Sequence, residues 1–408
     1  MELFSRDSDR FRTPFILVLT ILVVIGAIMV YSSSYIYAKE TYGNSAYYFT
    51  RQLIYLAISI VGAFIVSKTK FRFWVKYGAV LNWMVTALII FTFIPGFSLE
   101  IKGAHRWIAL GSFSFQPGEL LKYTIGLAAI GFFQKFEKPL SSFNRKELAW
   151  DITNLLLPLI LVVIQPDFGT FSICLVIIGF VCFLSPFPRV LFWTTGLSAL
   201  AITVPVLLAQ PYRVQRLFTY LDPWKNAQGS GFQIIQSYLA FANGSILGLG
   251  LGNSNEKLFY LPEAHNDFIF SVLGEEIGFL GVFLVISLFM AMMYLGFRMA
   301  LQQKDEKAVL VSSTIIFILS LQVVLNMGVV LGLLPTKGLN LPLISYGGSS
   351  MISNFFGIGL FFSVLNTRAK EEQDSQEETL DYFNRTTTSQ TPFSHQKFSD
   401  TTTQGSLF

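Results

Sequence analysis

Apolar windows separated by short polar stretches set the plan of this chain. Windows long enough to cross a bilayer, about 20 residues, fall near 14–36, 52–67, 74–95, 117–135, 168–186, 190–209, 267–297, 308–332 and 348–366. Residues 152–164 form a shorter apolar run that ends at Gln165-Pro166-Asp167. Joined to the next window it would be far too long for one crossing. Proline lacks the N–H a helix interior needs, and an acid is costly in hydrocarbon, so a tight break is predicted there. The break makes ten spans rather than nine, and in the charge count that choice rests mainly on the later, sparser loops. The predicted class is all-α: a polytopic membrane domain over 14–366 with about ten transmembrane helices and one long extracytoplasmic loop, 210–266.

Composition agrees: 52% of residues are hydrophobic and only 13% charged, against about 25% charged in soluble domains. The first window follows Arg6, Arg10 and Arg12 and exceeds a signal-peptide core of about 7 to 15 residues, so it reads as an uncleaved span behind a cytoplasmic segment, 1–13. Lys and Arg in short loops mark the cytoplasmic side. With the N-terminus inside, that side collects Lys68, Lys70, Arg72, Lys76, Lys135, Lys138, Arg145, Lys146, Arg189, Arg298, Lys304, Lys307, Arg368 and Lys370. Outside the long loop, the opposite side has only Lys39, Arg51, Lys102, Arg106, Lys122 and Lys337. The net charge of +4 is spread over loops and points to no nucleic-acid partner. Cys174 and Cys182 share one apolar segment and read as packing residues. No internal repeat stands out. After the last span, EEQDSQEETL and a Ser/Thr/Gln-rich run have little to bury, which predicts a disordered cytoplasmic tail, 367–408.

Charged groups at a membrane mouth are the first functional candidates. The stretch KLFYLPEAHNDFIFSVLGEEIG, 257–278, carries Glu263, His265 and Asp267 straight into an apolar run. A helix starting at Pro262 would place Glu263 and Asp267 on one face. Four more polar clusters lie toward the same outer side: Gly103 to Trp107 with Phe115 to Glu119; Gln165 to Asp167; Tyr212 to Arg216 with Gln233 and Gln236; and Leu334 to Gly338 through Ser350. A proton or ion path would instead distribute acids across the membrane. Arg106, Lys122, Arg213, Arg216 and Lys337 have the chemistry to clamp phosphates, and an exposed carboxylate can take a proton from an attacking hydroxyl. Each cation also fits a snorkelling or headgroup contact. Glu119, Glu275 and Glu276, deeper along helices, fit helix-to-helix hydrogen bonds, and Trp107 an interfacial anchor. The patch NGSILGLGLGNSN imitates a nucleotide-binding glycine motif but lacks a surrounding βαβ unit, so it reads as a flexible turn that folds the loop back on the membrane.

The strings GAHRWI, FQPGELLK, QPDFGT, PYRVQRLFTYLDPW, GFQIIQS, LPEAHNDFIFSVLGEEIG and LPTKGLNLPLISYGGSS, in this order across about 14–366, resemble the signature segments of the shape, elongation, division and sporulation (SEDS) family of membrane glycosyltransferases. TKGLNLPLISYGGSS and LPEAHNDF are more similar to its division and sporulation branches than to its elongation branch. The resemblance implies a ten-span enzyme that joins lipid II into peptidoglycan strands outside the cytoplasmic membrane. It also implies partnership with a class B penicillin-binding protein and other division proteins. The family's essential acid falls on Asp267, and its motif positions fall on Arg106, Trp107, Gln116, Glu119, Lys122, Arg213, Arg216, Gln233, Gln236, Lys337 and Ser345. Gly118 stands where a serine is usual, and Asn266 where a threonine is usual.

Together these readings make Asp267 the catalytic candidate. Arg106, Trp107, Lys122, Arg213, Arg216, Gln233, Gln236, Glu263, His265, Lys337 and Ser345 are candidates for binding substrate. Gln116, Glu119, Asp167, Glu275 and Glu276 are supporting residues. The sequence identifies no cofactor with certainty; a divalent cation could assist at the pyrophosphate, but carboxylates alone do not establish ligand geometry. A lipid II flippase and a non-catalytic division scaffold are the alternatives the same residues leave open.

Overall fold

The computed structural model describes residues 2–101, 104–111, 113–137, 143–208, 211–229, 231–255 and 264–388, with the backbone alone described at 2–9, 101, 110, 113, 206, 211–213, 217 and 370–388. Six helices have the length and apolarity of a membrane span: α1 (Glu2–Tyr42), α2 (Tyr47–Lys68), α6 (Arg145–Ile164), α11 (Ile269–Leu301), α12 (Glu306–Val330) and α13 (Gly348–Thr388). Three shorter apolar helices are α4 (Gly78–Phe91), α7 (Phe168–Leu184) and α8 (Arg189–Leu208). With α5 (Pro117–Phe133) they make ten helices at the ten predicted windows. A short α3 (Phe71–Lys76) precedes α4.

The break between α6 and α7 falls at Gln165-Pro166-Asp167 as predicted. The Asp167 side chain caps α7, its Oδ1 accepting from Thr170 N–H at 3.1 Å and its Oδ2 from the Thr170 hydroxyl at 2.9 Å. A small antiparallel sheet, not anticipated in an all-α reading, joins α4 to α5: β1 (Ser98–Ile101), β2 (Ala104–Leu110) and β3 (Phe113–Phe115), with Leu99 opposite Trp107 and Ile108 opposite Phe115.

The core gathers on α5, where Leu121, Ile125, Ala129 and Ile130 are fully enclosed. Side chains such as Trp193, Leu197, Phe279 and Phe283 point outward, as helices surrounded by lipid allow. Small residues set close approaches. A Cβ on Gly78 would meet the Leu127 backbone at 2.9 Å, and one on Gly26 in α1 would meet the Leu343 carbonyl oxygen at 2.3 Å. The second approach admits an irregular segment into the bundle: Leu339, Leu341, Leu343, Ile344 and Ser345, between α12 and α13, are all buried. Such backbone is tolerated at membrane depth only inside protein.

The region predicted as one long loop contains α9 (Pro211–Leu221), a 3₁₀ turn at Pro223–Asn226 and α10 (Phe232–Gly244). Its glycine-rich end is a splint rather than a flexible turn. α11 breaks at Gly278 (φ 73°, ψ −170°), which removes helix bonds on both sides. The segment after α10 replaces them: Leu249 and Gly250 N–H donate to the carbonyls of Glu275 and Glu276, while Phe279 and Leu280 N–H donate to those of Ser245 and Ile246, at 2.9–3.2 Å. α11 is therefore a short half-helix to Ile277 followed by a full-length span.

Contacts divide the chain into Met1–Asn366 and Thr367–Phe408. In the second unit, where composition predicts no fixed structure, the backbone is helical to Thr388. Glu and Gln in that stretch are good helix formers.

Candidate active site

Asp267 lies in a turn, two residues before the half-helix, and not inside a helix begun at Pro262. The reason lies in partners remote in the chain. The His265 carbonyl accepts from Tyr346 N–H at 3.0 Å and the Asp267 carbonyl from Asn326 Nδ2 at 2.9 Å, so both are turned away from a helical ladder. These bonds fix the turn to α12 and to the buried segment before α13. Glu263 and Pro262 lie outside the described residues.

The Asp267 carboxylate faces Gly338: a Cβ there would come within 2.9 Å of Oδ2. Gly338 follows Lys337, whose ammonium lies 5.8 Å from the Phe168 ring centre. Burial lowers the Lys337 pKa from the ordinary lysine value, and the Asp167 carboxylate pulls it back up. Arg216 on α9 donates through Nη1 to the Thr336 carbonyl at 2.9 Å, and the Tyr220 hydroxyl bonds the Leu333 carbonyl at 2.9 Å. Thus α9 is tied to the segment that presents Lys337. Arg213 is on the same helix, one turn earlier, and its description stops at the backbone. Gln233 and Gln236 lie on α10, half-buried. The His265 ring rests on Tyr48 at 4.4 Å between centroids.

Other candidates hold the frame. Arg106 donates from Nε to the Gln165 carbonyl at 3.2 Å and from Nη2 to the Pro166 carbonyl at 2.7 Å, latching the sheet to the α6–α7 break. Trp107 sits half-buried on the same strand. Gln116 N–H donates to Ser349 Oγ at 2.9 Å, joining the start of α5 to α13. Ser345, expected to touch substrate, is buried: its Oγ accepts from Leu341 N–H at 2.8 Å and its carbonyl from Gln52 Nε2 at 3.2 Å. Lys122, expected among the outer cations, is instead fully enclosed in the bundle, bonded to Glu119 at 2.7 Å and to Gln322 on α12 at 2.6 Å. An unpaired charge there would be costly, and the pair is what allows it.

The remaining acids, Glu275 and Glu276, are buried among hydrogen-bond donors. Glu275 accepts from Asn243 Nδ2, Asn255 N–H and the Ser254 hydroxyl, all on the splint side. Glu276 accepts from Ser32 of α1 at 2.6 and 2.7 Å. Among the described residues no three His, Cys, Asp or Glu side chains are grouped to hold a metal ion, so no residue is assigned as a ligand.

What converges is one segment: Thr336 receives Arg216 of the amphipathic α9, Gly338 faces the Asp267 carboxylate, and between them half-buried Lys337 turns its ammonium toward Phe168. A carboxylate held against a segment that also carries Lys337 and the Arg216 contact suits proton abstraction next to an anionic leaving group. Sequence reasoning missed Gly338, whose lack of a side chain makes room for the acid. Gly338→Ala should leave folding intact, because only the end of a flexible side chain must move. It should lower turnover about tenfold or more by displacing the carboxylate. Thermal unfolding and turnover of the purified variant check both halves, and wild-type turnover would refute the spatial claim.

Residues 12–370 match the family model FTSW_RODA_SPOVE, described as "Cell cycle protein". The chain is 36% identical over 357 residues to Stage V sporulation protein E of Bacillus subtilis, covering 86% of this chain and 95% of that protein. It is 35% identical over 380 residues to a probable peptidoglycan glycosyltransferase FtsW of Geobacter metallireducens, covering 90% and 98%. Among solved structures it is similar to a chain of a peptidoglycan synthase complex that coordinates polymerization and crosslinking, with a TM-score of 0.67, 28% identity, and coverage of 87% and 97%. It is also similar to the rod shape determining protein RodA of Thermus thermophilus, with a TM-score of 0.61, 25% identity, and coverage of 86% and 95%.

Proposed function

Because the chain belongs to the FtsW, RodA and SpoVE family of cell cycle proteins, we propose that the mouth around Asp267 is the active site of a peptidoglycan glycosyltransferase. The enzyme is a multi-pass membrane protein that polymerises lipid II into glycan strands in cell division. The single observation that carries the site assignment is the Asp267 carboxylate held against Gly338, the residue that follows Lys337.

In the reaction, a sugar hydroxyl of the acceptor attacks the anomeric carbon of the lipid-linked donor. A new glycosidic C–O bond forms, the bond from the anomeric carbon to the pyrophosphate oxygen breaks with inversion, and the hydroxyl proton passes to Asp267. The bonding pair leaves with the lipid pyrophosphate, whose charge is met by Lys337 and by the arginine-bearing face of α9. Gln233, Gln236 and His265 line the approach. A class B penicillin-binding protein that crosslinks the strands is the partner we assign, on the likeness to a synthase complex in which polymerization and crosslinking are coordinated.

Incubating purified protein with lipid II, with and without a class B penicillin-binding protein, tests this reading. Strands of many disaccharides are expected. Transfer of lipid II across vesicles without strand synthesis would make the chain a flippase. Synthesis that persists in the complex after loss of Asp267 would make it a scaffold.

For catalysis outside the cytoplasm, 210–266 and 333–348 must face outward and both termini inward, as the Lys and Arg asymmetry predicts. A cysteine introduced at Trp224, an exposed position after α9, is expected to react with an impermeant thiol reagent applied to intact cells. Labelling only after permeabilisation would reverse the orientation.

A further inference from the structure

The outer ends of α1 and α2 carry an arrangement that the reaction above does not use. Six of the chain's 16 tyrosines lie between residues 31 and 48: Tyr31, Tyr35, Tyr37, Tyr42, Tyr47 and Tyr48. The rings of four of them, Tyr37, Tyr42, Tyr47 and Tyr48, form one connected row of contacts, with Tyr48 touching the other three. Tyr42 and Tyr47 stack at 3.9 Å with planes 9° apart, Tyr47 meets Tyr48 edge-on at 5.3 Å, and Tyr48 reaches His265 at 4.4 Å. Tyr37 also stacks on His265 at 5.9 Å. The row therefore ends two residues from Asp267. The rings brace one another, since Tyr42 also meets Tyr48 edge-on at 5.9 Å and the Arg51 guanidinium lies 4.6 Å from the Tyr47 ring centre. The row is also accessible: Tyr42 is 48% and Tyr37 38% exposed.

Fixed, half-wet aromatic rings beside a guanidinium match the chemistry of a sugar. A pyranose with equatorial substituents presents a flat face of C–H bonds, polarised by ring oxygens, that packs on the negative face of an aromatic ring. Its hydroxyl and acetamide oxygens take bonds from a guanidinium. Scattered interfacial tyrosines would anchor the protein in the membrane equally well. Rings packed on one another beside His265, with Tyr37 and Tyr42 open to the outside, instead offer one continuous aromatic surface next to the acid.

We propose that Tyr37, Tyr42, Tyr47 and Tyr48 with Arg51 form a carbohydrate-binding platform for acetylated amino sugars of the growing glycan strand. The proposal rests on the reading of the chain as a glycan polymerase. A platform of this kind keeps the strand on the enzyme between additions.

The test compares Tyr42→Ala with Tyr42→Phe, which keeps the ring, and with Tyr294→Ala, an exposed tyrosine on α11 away from the row. Strand length is read on gels and lipid II consumption in parallel. Loss of one stacking contact should shorten strands about three- to tenfold in Tyr42→Ala, more than it slows consumption. Tyr42→Phe and Tyr294→Ala should keep full-length strands. Equal shortening by Tyr294→Ala would make the rings membrane anchors, and normal strand length with a raised KM for lipid II would move the sugar to the donor; either result overturns the proposal. A soluble N-acetylglucosamine tetramer provides an activity-free readout. Saturation-transfer NMR should show contact with wild type and Tyr42→Phe and a loss in Tyr42→Ala. A wild type that binds the tetramer yet makes no strands would refute the polymerase reading and leave the platform standing. Wild type making strands without binding the tetramer would refute the platform.

Discussion

Asp267→Asn is expected to lower strand synthesis from lipid II by at least about a hundredfold, since a positioned general base is typically worth about 10² to 10⁴ in rate. The substitution keeps the side-chain shape and removes the charge and the proton-accepting oxygen together. Fold should survive, because the turn is held by backbone carbonyls: His265 to Tyr346 N–H and Asp267 to Asn326 Nδ2. Both bonds are unchanged in the variant. The measurement is polymerisation by purified protein at equal amounts, with thermal unfolding and partner co-purification as controls. Near-normal synthesis by a folded variant would remove Asp267 from the chemistry. Loss of both folding and activity would assign the acid a structural role instead.

The ten apolar windows were legible because a membrane demands about 20 apolar residues per crossing and punishes a misplaced proline or acid. That same demand made the α6–α7 break readable at Gln165-Pro166-Asp167. Single-position chemistry pointed to Asp267 for a similar reason, as a charge at an apolar boundary needs an explanation. What escaped the sequence reading depends on partners remote in the chain. Lys122 looks like an outer cation until Gln322, 200 residues away, is seen to share its ammonium with Glu119. The turn at 264–268 looks like a helix start until Tyr346 and Asn326 claim its carbonyls. Short strands between α4 and α5 give too few alternations to read against such an apolar background. The tyrosines at 31–48 drew no reading from the sequence, because only the fold brings their rings together and against His265.

The glycine-rich stretch is the sharpest case, and it yields the second large effect. Gly248 has φ +80°, and a Cβ there would lie 2.3 Å from the Glu276 carbonyl oxygen, which is backbone and cannot swing away. Gly248→Ala must therefore push the splint off the break in α11. Four hydrogen bonds bridge that break: Leu249 and Gly250 N–H to Glu275 and Glu276, Phe279 and Leu280 N–H to Ser245 and Ile246. Each buried backbone group left without a partner costs about 1–3 kcal/mol. The three bonds that hold Glu275 from Asn243, Ser254 and Asn255 depend on the same segment. The loss of several such bonds exceeds a large part of a typical stability of about 5–15 kcal/mol, so the variant should fail to accumulate as folded protein. Gly250→Ala is the internal control. It shares a left-handed φ of +93°, but its Cβ would meet only the Asn253 side chain at 3.2 Å, so it bears conformational strain of about 1–3 kcal/mol without breaking the splint. Thermal unfolding in detergent should thus show a much larger loss for Gly248→Ala than for Gly250→Ala. Equal and small losses would mean that the half-helix before Gly278, and with it the turn that carries Asp267, keeps its place without the glycine-rich segment.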